Sequence, residues 1–314
     1  MDLINDILIA ERRISGFTNY TALDHSPILS RLNNAEVYLK CEHQQRTGSF
    51  KFRGALNKLL SLDGAAEVVT ASTGNHGQGV ALAGKITNCH VTVYAPQDVS
   101  KVKLEGMQAL GAAVNLVEGN CLDAELMARA AAEKNGKVFV SPYNDREVMA
   151  GQGTIGFEIV QQCPDVDVLF CAVGGGGLIA GVASYLKHIN PKVKIVGCWP
   201  ENSPAMYECI KAGKIIEVPE LPTLSDATAG GVEEGSITFK YCQELIDDFV
   251  LMSENEIAVA MKTLAQTDRW MVEGAAATMV AGMLKMAPQF QGKKMVALLS
   301  GRNIALDKFV EIVR

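Results

Sequence analysis

Short apolar, β-branched runs alternating with helix-like stretches predict an α/β protein of two doubly wound domains with mostly parallel sheets. The apolar runs are continuous rather than alternating, as strands covered on both faces require. The 314 residues exceed one small core and fit two domains of ordinary size.

The elements follow in order. Glu67 to Thr70 and Val91 to Ala95 read as strands, and Lys101 to Leu110 as a helix. Ala113 to Val117 is strand-like, Ala124 to Lys134 helical, and Val138 to Val140 strand-like again. Pro142, Tyr143 and Asn144 carry a turn signal between two α/β runs and mark the crossing point between domains. Beyond it come a helix over Thr154 to Gln162, a strand over Val168 to Val173, a helix over Leu178 to His188 and a strand over Lys194 to Cys198. Pro219 to Gly235 is irregular, rich in Pro, Gly, Ser and Asp, and its length marks it as a functional loop. Helices through Glu256 to Ala265 and Ala275 to Met286, then the strand Lys294 to Leu299, complete the pattern, with no room after them for a regulatory domain.

Composition removes several classes of function. A formal net charge of −6 supplies no basic stripe for nucleic acid. The start, MDLINDILIAERRISGF, carries Asp2 and Asp6 and only a short apolar run, unlike a signal peptide. No apolar run of about 18 residues offers a membrane span. The 8 cysteines (Cys41, Cys89, Cys121, Cys163, Cys171, Cys198, Cys209 and Cys242) form no CxxC pair. They read as reduced, buried thiols of a cytoplasmic protein rather than disulfides or a zinc site.

Three segments carry chemistry. Gly174-Gly175-Gly176-Gly177-Leu178 follows an apolar strand and opens a helix, so its amides and the helix dipole make a phosphate cradle. The plainer reading is a tight strand–helix turn. Ala71-Ser72-Thr73-Gly74-Asn75-His76-Gly77-Gln78-Gly79 gathers more hydroxyls and amides at a helix start than capping needs, and suits a carboxylate. Gln45-Arg46-Thr47-Gly48-Ser49-Phe50-Lys51-Phe52-Arg53-Gly54-Ala55 holds a lysine among small residues. Alone Lys51 reads as solvated; beside a phosphate cradle it becomes a Schiff-base candidate, since a buried amine is neutral and attacks carbonyls.

TGSFKFRGA, STGNHGQG and GGGGL, in this order, with AGQGTI at Ala150 to Ile155, resemble the threonine dehydratase and serine racemase family over nearly the whole chain. Those are pyridoxal-phosphate enzymes of fold type II, the tryptophan-synthase-β type. The resemblance implies a large cofactor-binding domain of residues 1–64 and 145–314 and a small substrate-binding domain of residues 65–144. It implies that Lys51 holds pyridoxal phosphate as a Schiff base and later takes the substrate's Cα proton. Phe50 would lie along the pyridine ring, Asn75 would bond its phenolic oxygen, and Gly174, Gly175, Gly176, Gly177 and Leu178 would bind the phosphate. Ser72, Thr73, Asn75 and His76 match the loop that receives the substrate, and Ser300 matches the hydroxyl partner of the ring nitrogen. A neutral hydroxyl there makes a weaker electron sink than an aspartate would, which suits loss of a β-leaving group over transamination. The expected reaction releases a 2-oxo acid and ammonia from a small 3-hydroxy amino acid, and a homodimer is expected from the resemblance.

The sequence also departs from that pattern. Thr73 stands where racemising relatives carry serine, and its hydroxyl either shuttles a proton opposite Lys51 or packs; racemisation is then at most a side activity. Trp199 and Ala205 replace two acids that hold a divalent cation in relatives, so no metal is expected, although Glu201 is near. Arg302 follows Ser300-Gly301 and either pairs with an anion or begins the last helix in solvent. With Thr228-Ala229-Gly230-Gly231-Val232 it suggests a substrate other than threonine, such as 3-hydroxyaspartate or a bulkier 3-hydroxy amino acid. Glu273 matches an acid near the cofactor. The alternatives are β-replacement, racemisation as the main activity, a cofactor-free binding protein and, least, a nicotinamide dehydrogenase, which lacks its ribose acid.

Overall fold

A computed structural model describes residues 3–62, 67–97, 99–119 and 121–314, with the backbone alone at Cys121. Asp2 and the expected domain boundary after residue 64 lie outside the described residues. In chain order the strands are β1 (Leu23–His25), β2 (Glu36–Lys40), β3 (Glu67–Ala71), β4 (His90–Pro96), β5 (Ala113–Val117), β6 (Val138–Phe139), β7 (Val168–Ala172), β8 (Lys194–Pro200), β9 (Asp248–Met252) and β10 (Lys294–Leu298). They form two sheets, one ordered β1-β2-β10-β7-β8-β9 and one ordered β5-β4-β3-β6. Among the described strand pairs, only β1 against β2 is antiparallel. Each sheet is fed by β–helix–β crossovers, so every strand of a parallel pair points the same way.

The five residues of β7 are all buried, as a central parallel strand under helices on both faces must be. In the helix Lys51–Leu60 the buried Phe52, Ala55, Leu56 and Leu59 recur at helical spacing and face the core. Small residues let two long helices meet closely: a Cβ on Gly181 of helix Gly177–Ile189 would lie 2.3 Å from the Met149 carbonyl of helix Arg146–Gln162. The AGQGTI glycines therefore have a packing role; a Cβ on Gly151 would lie 2.6 Å from the Gly54 Cα.

Most expected elements lie where the sequence places them. The helix expected from Thr154 begins at Arg146 instead, because Asp145 caps it by accepting from the Glu147 and Val148 amides at 2.8 and 3.1 Å. Its glycines lower helix propensity, and tertiary packing outweighs that. The helix expected from Ala124 likewise begins at Cys121. Residues 219–235 hold no helix or strand. Seven described cysteines are buried and unpaired. No described helix is long and apolar enough to cross a membrane.

Candidate active site

In parallel sheets, ligands gather beyond the carboxyl ends of the strands. Three such ends converge here. β3 runs into Ser72-Thr73-Gly74, β7 into Gly174-Gly175-Gly176, and β10 into Leu299-Ser300-Gly301. The lysine loop is stitched to the last of these: the Phe50 amide donates to the Ser300 carbonyl at 3.1 Å, and Ser49 pairs with Gly301.

Lys51 opens its helix, and its Nζ donates to the Pro142 carbonyl at 2.8 Å, at the crossing point between the two sheets. The amine also stands 5.3 Å from the centroid of the Phe50 ring, itself almost fully buried. Burial pushes the Lys51 amine down to about 8, against the opposing charge of Glu273. Ser300 is buried, and its hydroxyl has no hydrogen-bond partner among the described residues. Such an orphan has a cost unless something outside the chain meets it.

The cradle is shaped by contacts that only glycine permits. A Cβ on Gly175 would lie 2.4 Å from the Tyr143 ring, and one on Gly177 would lie 2.9 Å from the Tyr143 backbone. Gly176 takes φ +86° as it caps the helix Gly177–Ile189. Leu178 sits buried in the first turn of that helix. A helix's first amides lack intrahelical partners and suit an anion. Tyr143 is held in turn: its hydroxyl accepts from the Glu233 amide at 3.0 Å, while the Glu233 carboxylate binds Asn144 and Arg129.

At the end of β3, the Ser72 hydroxyl accepts from the Gly74 amide at 3.0 Å and so shapes the loop. Thr73 is partly exposed in the bend before the helix Asn75–Thr87. His76 is buried, with Nε2 against the Val140 carbonyl at 3.1 Å and Nδ1 unpartnered. Burial, then the charge of Lys51, pushes this imidazole down to about 3. The ring is neutral, so Nε2–H donates, and His76 is left to meet an anion through its backbone.

Sequence reasoning set Glu273 at the margin; the fold puts it beside the site. Its Oε1 accepts from Asn75 Nδ2 at 2.7 Å, and its Oε2 accepts from the Asn303 amide at 3.2 Å. Asn303 Nδ2 donates to Asn75 Oδ1 at 2.6 Å and to the Thr47 carbonyl at 2.9 Å. One N–H of Asn75 thus remains for an acceptor in the site. Burial, with Asp226 adding repulsion, pushes Glu273 up to about 7; Lys103 and the bond from Asn75 oppose it. Asn303, Lys103, Asp226 and Glu233 carried no motif signal, because their partners are distant in sequence.

Arg302 is exposed, and its amide donates to the Gly48 carbonyl at 2.9 Å. Trp199 is fully buried and stacks on Phe249 with centroids 5.8 Å apart. Among the described residues no three His, Cys, Asp or Glu side chains gather to hold a metal ion.

Comparison with known proteins places the chain among pyridoxal-phosphate enzymes. The family described as "Pyridoxal-phosphate dependent enzyme" matches residues 14–301. The L-threonine ammonia-lyase of Thermotoga maritima is 41% identical over 100% of this chain and 78% of its own length. The catabolic L-threonine dehydratase of Escherichia coli K12 is 38% identical, covering 98% of this chain and 95% of its own. The structure of maize serine racemase superposes with a TM-score of 0.93 at 29% identity, covering 98% of this chain and 95% of that one.

Proposed function

The chain belongs to the family of pyridoxal-phosphate-dependent enzymes, and from that premise we propose that it is a lyase removing water and ammonia from a small 3-hydroxy amino acid. One observation carries the reading. The half-buried Lys51 amine stands where both sheets meet, with Ser300 at the loop stitched to its own and the glycine cradle on the other side of Pro142–Tyr143.

The residues present fit the cofactor. The unpartnered, buried hydroxyl of Ser300 is the right group for a pyridine nitrogen, and a run of glycines ending in the unpaired first amides of a helix suits a phosphate. In this reading Gly174, Gly175, Gly176, Gly177 and Leu178 hold the phosphate, Asn75 the phenolic oxygen, and Phe50 lies along the ring. Bound pyridoxal phosphate supplies the electron sink for charge developing at the substrate's Cα. Lys51 removes the Cα proton as a neutral amine, which its depressed basicity favours near neutral pH. Ser72, Asn75 and the His76 backbone orient the substrate carboxylate. The β-hydroxyl departs as water, and hydrolysis of the released unsaturated amine returns one water and gives a 2-oxo acid and ammonia. A weak sink at Ser300 favours this elimination over transamination.

A second reading, racemisation, draws on the likeness to maize serine racemase and on Thr73, whose hydroxyl the sequence offered as a proton shuttle or as a packing group. The two sheets support a division into residues 1–64 with 145–314 and residues 65–144. A homodimer, a cytoplasmic location and independence of metal belong to the same proposal and rest on the resemblance and the sequence.

The test is the visible spectrum of the purified protein, with 2-oxo acid and D-amino acid followed on adding threonine or serine. A cofactor band lost in Lys51→Ala, with oxo acid as the main product, supports the lyase. Equal amounts of D-amino acid would favour the racemase. No band with added pyridoxal phosphate would overturn both.

A further inference from the structure

The helix Lys101–Ala109 follows β4 on the four-stranded sheet, and Ser100 caps it through the Lys103 amide. The Lys103 side chain runs across Gly74, so that a Cβ there would lie 3.0 Å from Cδ and 3.5 Å from Nζ. Its Nζ then meets Asp226 Oδ2 at 2.9 Å. Asp226 comes from the other side of the cleft, within the irregular segment before the helix Ile237–Leu245.

The turn that carries Asp226 belongs to the site's wall. The Thr228 amide donates to the Ser225 carbonyl at 2.9 Å, and their hydroxyls meet at 2.6 Å. That turn packs on Gly174 of the cradle, where a Cβ would lie 2.9 Å from the Thr228 carbonyl. It packs equally on Gly274, beside Glu273, where a Cβ would lie 2.0 Å from the Leu224 carbonyl. The ion pair therefore bridges the cradle side and the carboxylate-loop side, above Gly74.

Stability does not account for it. With side-chain exposures of 19% and 42%, the pair gains little net energy from attraction. Its position gives it another use. We propose that Lys103 and Asp226 form the specificity wall for the substrate's β-substituent and admit uncharged 3-hydroxy amino acids while refusing acidic ones. The inference rests on the lyase reading above and narrows its substrate class, against the 3-hydroxyaspartate that the sequence alone suggested.

The logic is charge balance. Lys103 is already neutralised by Asp226, so a methyl or hydrogen on the substrate's Cβ leaves the pair undisturbed. A carboxylate there meets a lysine that is engaged and an aspartate of its own sign. Refusal by an opposed charge is a standard route to discrimination. Removing the aspartate's charge leaves Lys103 free to receive the second carboxylate of an acidic ligand.

The experiment uses the holoenzyme and its Asp226→Asn, Lys103→Ala and doubly substituted forms. Two quantities are read: kcat/KM for threonine and for 3-hydroxyaspartate by oxo acid release, and succinate affinity by calorimetry. Asp226→Asn is expected to raise the acidic-to-neutral kcat/KM ratio and tighten succinate, each by roughly tenfold or more, a step equivalent to about 1.4 kcal/mol. Adding Lys103→Ala should cancel both gains. A pair that merely ties the sheets together would lower both substrates alike, with the ratio and succinate affinity unchanged, and that result overturns the proposal. Wild-type preference for 3-hydroxyaspartate overturns it too. Should wild type release oxo acid from neither substrate, the lyase reading fails, while the succinate measurement still decides whether the pair sets charge preference.

Discussion

Glu273 and Asn75, 198 residues apart, share a 2.7 Å hydrogen bond in which the Asn75 amide donates to the carboxylate. With the Asn303 amide on its other oxygen, Glu273 accepts at both oxygens, an arrangement that the ionised carboxylate serves best. Its carboxyl is pushed up to about 7 by burial and by Asp226. As pH falls through 7 the carboxylate gains a proton, its charge-assisted bonds weaken, and Asn75 is held less firmly. Activity is therefore expected to fall on the acid side with an apparent pKa near 7. Glu273→Gln should remove this limb and lower kcat at neutral pH by roughly tenfold or more, as loss of a charge-assisted bond implies. A pH–rate profile with the limb intact in Glu273→Gln would refute the assignment.

Gly175→Ala is expected to weaken cofactor binding, because the new Cβ would fall 2.4–2.6 Å from three atoms of the Tyr143 ring. Tyr143 has little room to retreat, since its hydroxyl is held by the Glu233 amide. Overpacking of this kind typically costs about 1–3 kcal/mol, so the pyridoxal phosphate dissociation constant should rise roughly five- to 150-fold. Gly292→Ala is no control because of its positive φ, whereas Gly16, with open space around it, is one. Equal affinity in Gly175→Ala and Gly16→Ala would exclude the cradle.

The basicity of Lys51 sets a second pH dependence. Its amine is pushed down to about 8 by burial, and the Glu273 charge limits the fall. Only the neutral amine attacks a carbonyl, so capture of pyridoxal phosphate by stripped enzyme should accelerate as pH rises through 8 and level off above. In Glu273→Gln the opposing charge is gone and the midpoint should move lower. Stopped-flow absorbance reads both; a rate flat from pH 6.5 to 9.5 would contradict a buried, titrating amine.

Much of this site was legible because its chemistry sits in contiguous motifs: STGNHGQG and GGGGL follow strand ends, and TGSFKFRGA opens the helix that carries Lys51. What escaped lies in long-range pairing. Nothing local marks Asn303 as the partner of Asn75, or Asp226 as the partner of Lys103 within an irregular stretch. Arg302 drew notice by its place after Ser300-Gly301, and the fold leaves it exposed. His76 was placed in the substrate loop by its motif, and the fold adds that its ring is buried, neutral and tied to Val140. The fold class followed from the apolar runs, whereas the helix Arg146–Gln162 began before its expected start because a cap and close packing decided it.

Chelation should leave activity unchanged. Trp199, fully buried against Phe249 and 5.8 Å from the Tyr207 ring, fills with aromatic surface the place where an acid would offer oxygen ligands. Treating the holoenzyme with EDTA and then adding magnesium or calcium should change kcat/KM by less than about twofold. A large loss restored by magnesium would show a cation held by residues that the fold does not bring together as a cluster.

Behind the lysine helix lies a buried charge network whose removal should affect stability before chemistry. Arg53 donates to both oxygens of Glu42, each at 2.8 Å, and to Glu158 at 2.6 Å. Lys40 meets the other Glu158 oxygen at 2.5 Å. Glu158→Gln leaves two buried cations sharing one carboxylate, and breaking such a network typically costs about 3–5 kcal/mol. Glu105→Gln at the exposed Lys101 pair, 3.7 Å apart, should cost less than about 0.5 kcal/mol. Denaturant melts of both variants give the comparison. Because Glu158 bonds Thr21, Lys40 and Arg53 and not Lys51, the Glu158→Gln protein that does fold should keep the cofactor band while its melting midpoint falls. An unchanged midpoint would mean that water or a shifted side chain replaces Glu158 at no cost, and that the network is not what anchors the start of that helix.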